Sequence, residues 1–195
     1  MDPVNLLVGL NLFVSLSANW SAAKKGFKGA ITGVKERPKT YLQKTPPNIS
    51  ALVLVLVILG VFNLGTLEEP YSSDFQLVRF TGLIIFLVFS WLQVLSFKSL
   101  GENYSQEIVI KKGQELVKTG FYRSIRHPQY LCQILSDLGA GIALLSYFAL
   151  PVVILLEIPL FVLRASFEDK LLMKHFKDDF VEYKKRSGFI LPFIG

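Results

Sequence analysis

The run LVRFTGLIIFLVFSWLQVLSF, residues 77–97, decides how the chain is to be read. It carries one charged residue, Arg79. As a helix, such a run is long enough to cross the ~30 Å hydrocarbon core of a bilayer, which takes about 20 apolar residues. Working outward, comparable apolar runs fall at 49–67 and 3–22 on one side and at 129–148 and 150–163 on the other. The whole composition agrees. Of 195 residues, 51% are hydrophobic and 18% charged, the mean hydropathy is +0.44, and soluble domains run near a quarter charged. The expectation is an all-α, polytopic membrane helix bundle with five transmembrane helices and a cytoplasmic C-terminal amphipathic helix. The first run lacks the basic segment that opens a signal peptide, so it is read as a helix that stays. The fifth is short and holds Pro151 and Pro159, which predicts a tight hairpin with the fourth around Leu145–Pro151.

Charge fixes the expected orientation. Residues 24–44, 98–126 and 164–186 hold 20 of the 21 Lys and Arg, and only Arg79 lies elsewhere. Cytoplasmic loops are enriched in these residues, so the three segments should share the cytoplasmic side, with the N-terminus outside and the C-terminus inside. The connecting segment Glu68-Glu69-Pro70-Tyr71-Ser72-Ser73-Asp74 has three acids and no base, as an outer loop should. The net charge of +6 sits between apolar runs rather than on a soluble groove, which argues against nucleic acid as a partner. One cysteine, Cys132, excludes an internal disulfide, and His127 and His175 lack metal-ligand spacing, so no metal is expected. Internal repeats are absent. The stretch 98–128 and the tail 164–195 should therefore face the cytoplasm, where chemistry could lie, and the chain is read as two parts, 1–97 with helices one to three and 98–195 with helices four and five and the C-terminal helix.

Two segments of that half stand out. In Gly120-Phe121-Tyr122-Arg123-Ser124-Ile125-Arg126-His127-Pro128-Gln129-Tyr130, Pro128 suits the first position of the fourth helix and leaves His127 extended as its cap. A helix start can hold a carboxylate, with Arg126, His127 and Tyr130 as further donors; read bare, the segment is also a basic-aromatic membrane anchor. In the tail, helical spacing puts Arg164, Glu168, Leu171, His175, Asp178 and Glu182 on one stripe beside Leu172, Phe176, Phe180 and Tyr183. Lys170, Lys174 and Lys177 take a third face, suited to anionic lipid headgroups. Asp137 and Glu157 fall inside apolar runs, where ionisable groups either serve function or hydrogen-bond neighbours such as Ser136, Ser90 or Gln93. Ser136/Ala140 and Gly139/Ala143 have the spacing of close helix packing.

These residues carry a resemblance. Ser99-Leu100-Gly101-Glu102-Asn103-Tyr104-Ser105, Leu116-Val117-Lys118-Thr119-Gly120-Phe121-Tyr122, Arg126-His127-Pro128-Gln129-Tyr130, Arg164 followed by Glu168-Asp169, and Phe180-Val181-Glu182-Tyr183 together resemble the isoprenylcysteine carboxyl methyltransferase family, particularly its small prokaryotic members. The likeness spans about 99–192. Glu168-Asp169 stands where the family has paired glutamates, and Cys132 where a glycine is common.

The resemblance implies a methyltransferase that binds S-adenosyl-L-methionine from the cytosol and methylates the carboxylate of a prenylated cysteine or similar lipophilic acceptor at the membrane face. It implies cofactor contacts at Gln114, Glu115, Leu116, Val117, Tyr122, His127, Pro128, Gln129, Tyr130 and Glu168, with Arg164 facing the substrate as the catalytic residue. The residue types suit those roles: Leu116 and Val117 can line an adenine slot, His127 and Tyr130 can meet a carboxylate, and Glu168 can accept from an amine or hydroxyl. A carboxylate acceptor is ionised at neutral pH and needs no base, whereas an amine would need Glu168 or His175 to take a proton. Lipid amine methylation, NADPH-dependent sterol-type reduction and a membrane scaffold are the alternatives. Labelling of single cysteines in sealed vesicles tests the topology: positions 40 and 185 are expected on the same side, and opposite sides would end the five-span reading.

Overall fold

The computed structural model describes residues 2–31, 33–67, 74–192 and 194, for 20–31 the backbone alone. Six helices carry the fold: α1 (Pro3–Ile31), α2 (Thr45–Val61), α3 (Gln76–Leu100), α4 (Pro128–Ala143), α5 (Ala149–Phe176) and α6 (Asp178–Arg186). A short antiparallel pair, β1 (Val34–Glu36) with β2 (Ile110–Lys111), joins the α1–α2 linker to the segment after α3, a strand pairing that the all-helical expectation did not include. Among the described residues, Tyr41–Val61, Gln76–Asn103 and Ala149–Phe176 are long and apolar enough to cross a membrane, and Pro3–Asn19 is a shorter apolar helix. Their outward faces carry large apolar side chains, among them Leu77, Ile84 and Leu155, as lipid-facing helices do.

Helix α4 is the exception that explains the bundle. It has 16 residues, and none of them is exposed. Its polar side chains therefore need partners inside the protein. The Gln133 amide donates to Asp137 (2.6 Å) and accepts from Gln93 of α3, while Ser50 of α2 donates to Glu157 (2.7 Å). The two acids of the apolar runs thus hydrogen-bond neighbours, though through Gln133 and Ser50 rather than Ser136 or Ser90.

Close approach puts α4 at the centre. At Gly139 an added Cβ would lie 2.5 Å from the Phe86 amide nitrogen and 2.9 Å from the Gly82 carbonyl, and at Gly82 it would meet the Ala143 nitrogen at 2.5 Å. The backbones of α3 and α4 touch there, which is the small-residue packing read from Gly139/Ala143. At that end Arg79, the base outside the three basic segments, is buried. Its guanidinium meets Asp2 (2.7 and 3.1 Å), Asn5 (2.9 Å) and the Ala143 carbonyl (3.1 Å), tying the starts of α1 and α3 to the end of α4. The acidic connection preceding α3 lies largely outside the described residues, which resume at Asp74.

The α4–α5 hairpin is as tight as expected, with Leu145 at φ 51°. Beyond it the sequence reading needs correcting. A separate short span at 150–163 and a separate tail helix were expected; α5 instead runs unbroken from Ala149 to Phe176. Pro159 lacks an amide proton and crowds the carbonyl four residues back, and the wide π turn at Val153–Glu157 absorbs that misfit without ending the helix. The break falls at Lys177, at φ 47°, so Asp178 and Glu182 belong to α6 and leave the stripe of Arg164 and Glu168. Gly139→Ala should destabilise the detergent-purified protein by about 1–3 kcal/mol, since the added methyl has no room against backbone. An unchanged melting temperature would contradict the α3–α4 contact.

Candidate active site

Pro128 opens α4 as its first residue, as the sequence suggested, whereas His127 before it sits at φ −124°, ψ 56° rather than extended and makes no side-chain cap hydrogen bond. The ring is buried and reads two acids of α5: its Nε2 lies 2.9 Å from Asp169 Oδ1, and its Nδ1 is 3.6 Å from Glu168 Oε2. The second Asp169 oxygen accepts from Arg126 Nε at 3.0 Å. Arg126 is committed further to the Ser187 carbonyl at 2.5 Å. The C-terminal segment returns over this point. The Gly188 and Phe189 carbonyls accept from the amides of Arg126 (2.9 Å) and His127 (3.2 Å), so these two donors are occupied within the protein.

One turn on, the Tyr130 hydroxyl donates to Glu168 Oε1 (2.5 Å) and accepts from Arg164 Nε (2.8 Å). Arg164 is 3% exposed. Its Nη1 donates to the Leu42 carbonyl (3.1 Å) and its Nη2 to that of Gln106 (2.6 Å), so the guanidinium braces the start of α2 and the segment after α3 against α5.

That segment, 101–127, has little regular structure and is held by side chains. Gln43 mimics a strand partner, donating to the Ile108 carbonyl (2.8 Å) and accepting from its amide (2.9 Å). The Lys111 ammonium donates to the carbonyls of Glu102 (2.8 Å) and Tyr104 (2.5 Å), while its amide donates to Gln114 (2.8 Å). Burial lowers the pKa of that ammonium. Asn103 accepts from the Glu115 amide (2.9 Å). The Tyr183 hydroxyl of α6 donates to the Tyr122 carbonyl (2.6 Å). Burial drives the Tyr183 phenol up to about 12 and the Tyr122 phenol higher still, so both act as neutral donors. Tyr122 in turn donates to Gln129 at 2.5 Å.

Between this segment, the α4 start, α5 and α6 lies a cavity of about 780 Å³, partly open to solvent. Eight of the expected cofactor contacts line it: Gln114, Glu115, Leu116, Val117, Tyr122, His127, Gln129 and Glu168. Pro128 and Tyr130 do not, serving instead to start the helix and to join Glu168 to Arg164. Arg164 lies behind the wall, at Gln106, whose neighbours Ser105 and Glu107 line the cavity. His175 is not among the lining residues, and its ring packs edge-on against Phe176. The sequence reading missed Lys111, Asn103 and Gln43, whose roles rest on pairings that no local pattern announces. Asp169 was visible beside Glu168 but had no assigned partner. Among the described residues no cluster of His, Cys, Asp and Glu suits a metal.

The comparisons follow this geometry. The model of the Isoprenylcysteine carboxyl methyltransferase (ICMT) family matches residues 82–174. Among curated relatives, the protein-S-isoprenylcysteine O-methyltransferase of Saccharomyces cerevisiae is 29% identical over 126 residues, covering 64% of this chain and 53% of the relative. That of Tribolium castaneum is 25% identical over 135 residues, covering 68% and 48%. The chain thus spans about half the length of these relatives. The solved structure of the eukaryotic intramembrane Ras methyltransferase ICMT shares the fold, with a TM-score of 0.66 at 19% identity, covering all of this chain and 69% of that one. The matched segment runs from Gly82, where α3 meets α4, to Lys174 near the end of α5, and so contains both the α4 start and the acids that face it; over that segment the chain is similar to the isoprenylcysteine carboxyl methyltransferase family.

Proposed function

We propose that the protein transfers a methyl group from S-adenosyl-L-methionine to the carboxylate of a prenylated cysteine, or of a similar lipophilic acid, at the cytoplasmic membrane face. The observation that carries this is the lining of the cavity. It joins an apolar slot at Leu116, Val117 and Leu172 to acceptors and donors at Glu168, Glu115, Gln114, Gln129 and His127. A ligand with an adenine, a ribose and a zwitterionic amino-acid end needs that mixture. The bound cofactor would supply a methyl group on a sulfonium.

The residues would then divide the work. Glu168, kept in place by Tyr130 and Arg164, accepts from the cofactor's amine or hydroxyls; His127, steered by Asp169, faces the same cavity. Arg164 has one N–H on each terminal nitrogen beyond those given to Leu42 and Gln106, a fork suited to the acceptor carboxylate. That carboxylate is already ionised, so the protein has to orient it and strip its water rather than remove a proton.

The topology proposed with this function has five spans, α1 and α4 completing the three long apolar stretches, with the N-terminus outside. Residues 98–195 form the catalytic half and 1–97 the lipid-facing half. The test is methyl transfer from labelled cofactor to a panel of prenylcysteine acids and lipid amines. Transfer to the acids is expected, with Arg164→Lys losing most kcat/KM for the acid while affinity for S-adenosylhomocysteine stays near wild type, because a lysine cannot make the fork. Transfer to amines alone, or an acid activity indifferent to Arg164→Lys, would overturn the assignment.

A further inference from the structure

A second cavity, of about 700 Å³, lies on the other side of Asp169, between α5, α6 and the returning C-terminal segment. Its walls are Met173, Phe180 and Phe189, and its polar groups are Ser166, Lys170 and Lys184. The Arg126–Asp169 pair also lines it, the two charges facing each other at 3.0 Å. The lysines therefore leave the cavity positive. Lys174 is bound to Glu36 at 2.7 Å, whereas among the described residues neither Lys170 nor Lys184 is ion-paired.

The surroundings give the depth of this cavity. Val162, Ser166 and Lys170 follow one another at one-turn spacing along α5, running from an exposed valine to a charge. Val162 and Leu163 on α5 and Leu191 and Ile194 on the C-terminal segment are exposed apolar side chains flanking the same region. Apolar surface giving way to lysine within two turns is the profile of the boundary between acyl chains and headgroups.

We propose that this cavity holds the phosphate-bearing headgroup of an anionic phospholipid. Lys170 and Lys184 neutralise the phosphate, the Ser166 hydroxyl donates to it, and the acyl chains run down the outer face at Val162 and Leu163. The headgroup then lies beside the Arg126–Asp169 pair, whose carboxylate steers His127, so lipid occupancy steadies the far wall of the cofactor cavity. The placement at the headgroup level rests on the membrane topology proposed above; the assignment of the ligand does not rest on methyl transfer.

Native mass spectrometry on protein released from phosphatidylcholine bilayers containing phosphatidylglycerol tests it. Wild type is expected to retain one phosphatidylglycerol, Lys170→Gln/Lys184→Gln to lose retention by about fivefold per lysine, and Lys170→Arg/Lys184→Arg to keep it. Affinity for S-adenosylhomocysteine should rise with phosphatidylglycerol in wild type and not in the glutamine variant, the two agreeing in pure phosphatidylcholine. Equal retention by wild type and the glutamine variant, or none by wild type, would overturn the proposal. Displacement of the lipid by glycerol phosphate at equal concentration would assign a free phosphate ester instead. A raised KM for the prenylated acceptor in neutral bilayers of the glutamine variant would give the cavity to the acceptor. Since retention is read without turnover, the lipid site and the methyltransferase reading stand or fall separately.

Discussion

Asp169 is the constraint on which the site depends. One carboxylate on α5 divides its oxygens between Arg126 and His127, the residues leading into α4, and Arg126 carries the tie on to the C-terminal segment through Ser187. Three parts of the chain meet at one buried anion. Such a pair is weak evidence for stability as a whole, because desolvation offsets attraction, but removing one partner strands the other and costs about 3–5 kcal/mol. The arrangement is therefore strict about geometry even where it contributes little net energy. Glu168, one residue earlier, inherits that geometry and turns toward the cavity.

The bundle serves the same end. Helix α4 is short and carries polar groups that lipid would not tolerate, so it is enclosed by longer apolar helices and drawn against α3 where Gly82 and Gly139 let the backbones touch. Arg79 pins its far end and His127 its near end. A helix fixed at both ends and shielded along its length gives the cavity a rigid side, whereas the opposite side, 101–117, is a mostly irregular segment clasped by Lys111, Asn103 and Gln43. Precision at the site comes from the buried helix and adaptability from the clasped segment.

What was legible in the sequence follows from range. Apolar run length depends on composition alone, and it located every long helix; Pro128 acts through its own ring, so the α4 start could be read to the residue. The cavity residues came from a motif resemblance, and eight of those ten line one cavity. Long-range pairings were hidden. Gln43 and Ile108 are 65 residues apart, and Ser50 and Glu157 are 107 apart; no local pattern links either pair. The course of α5 was misread for a different reason: Pro159 signals a break, and the π turn that accommodates it has no signature of its own. The stop at Lys177 was invisible because a lysine gives no local sign of a positive φ.

The central claim is that the cavity at the α4 start is built for S-adenosylmethionine. Thermal denaturation of the detergent-purified protein, with S-adenosylhomocysteine or NADPH added in increasing concentration, tests it directly. The account predicts a melting temperature that climbs with the logarithm of S-adenosylhomocysteine concentration and ignores NADPH. Stabilisation by NADPH with no response to S-adenosylhomocysteine would contradict it.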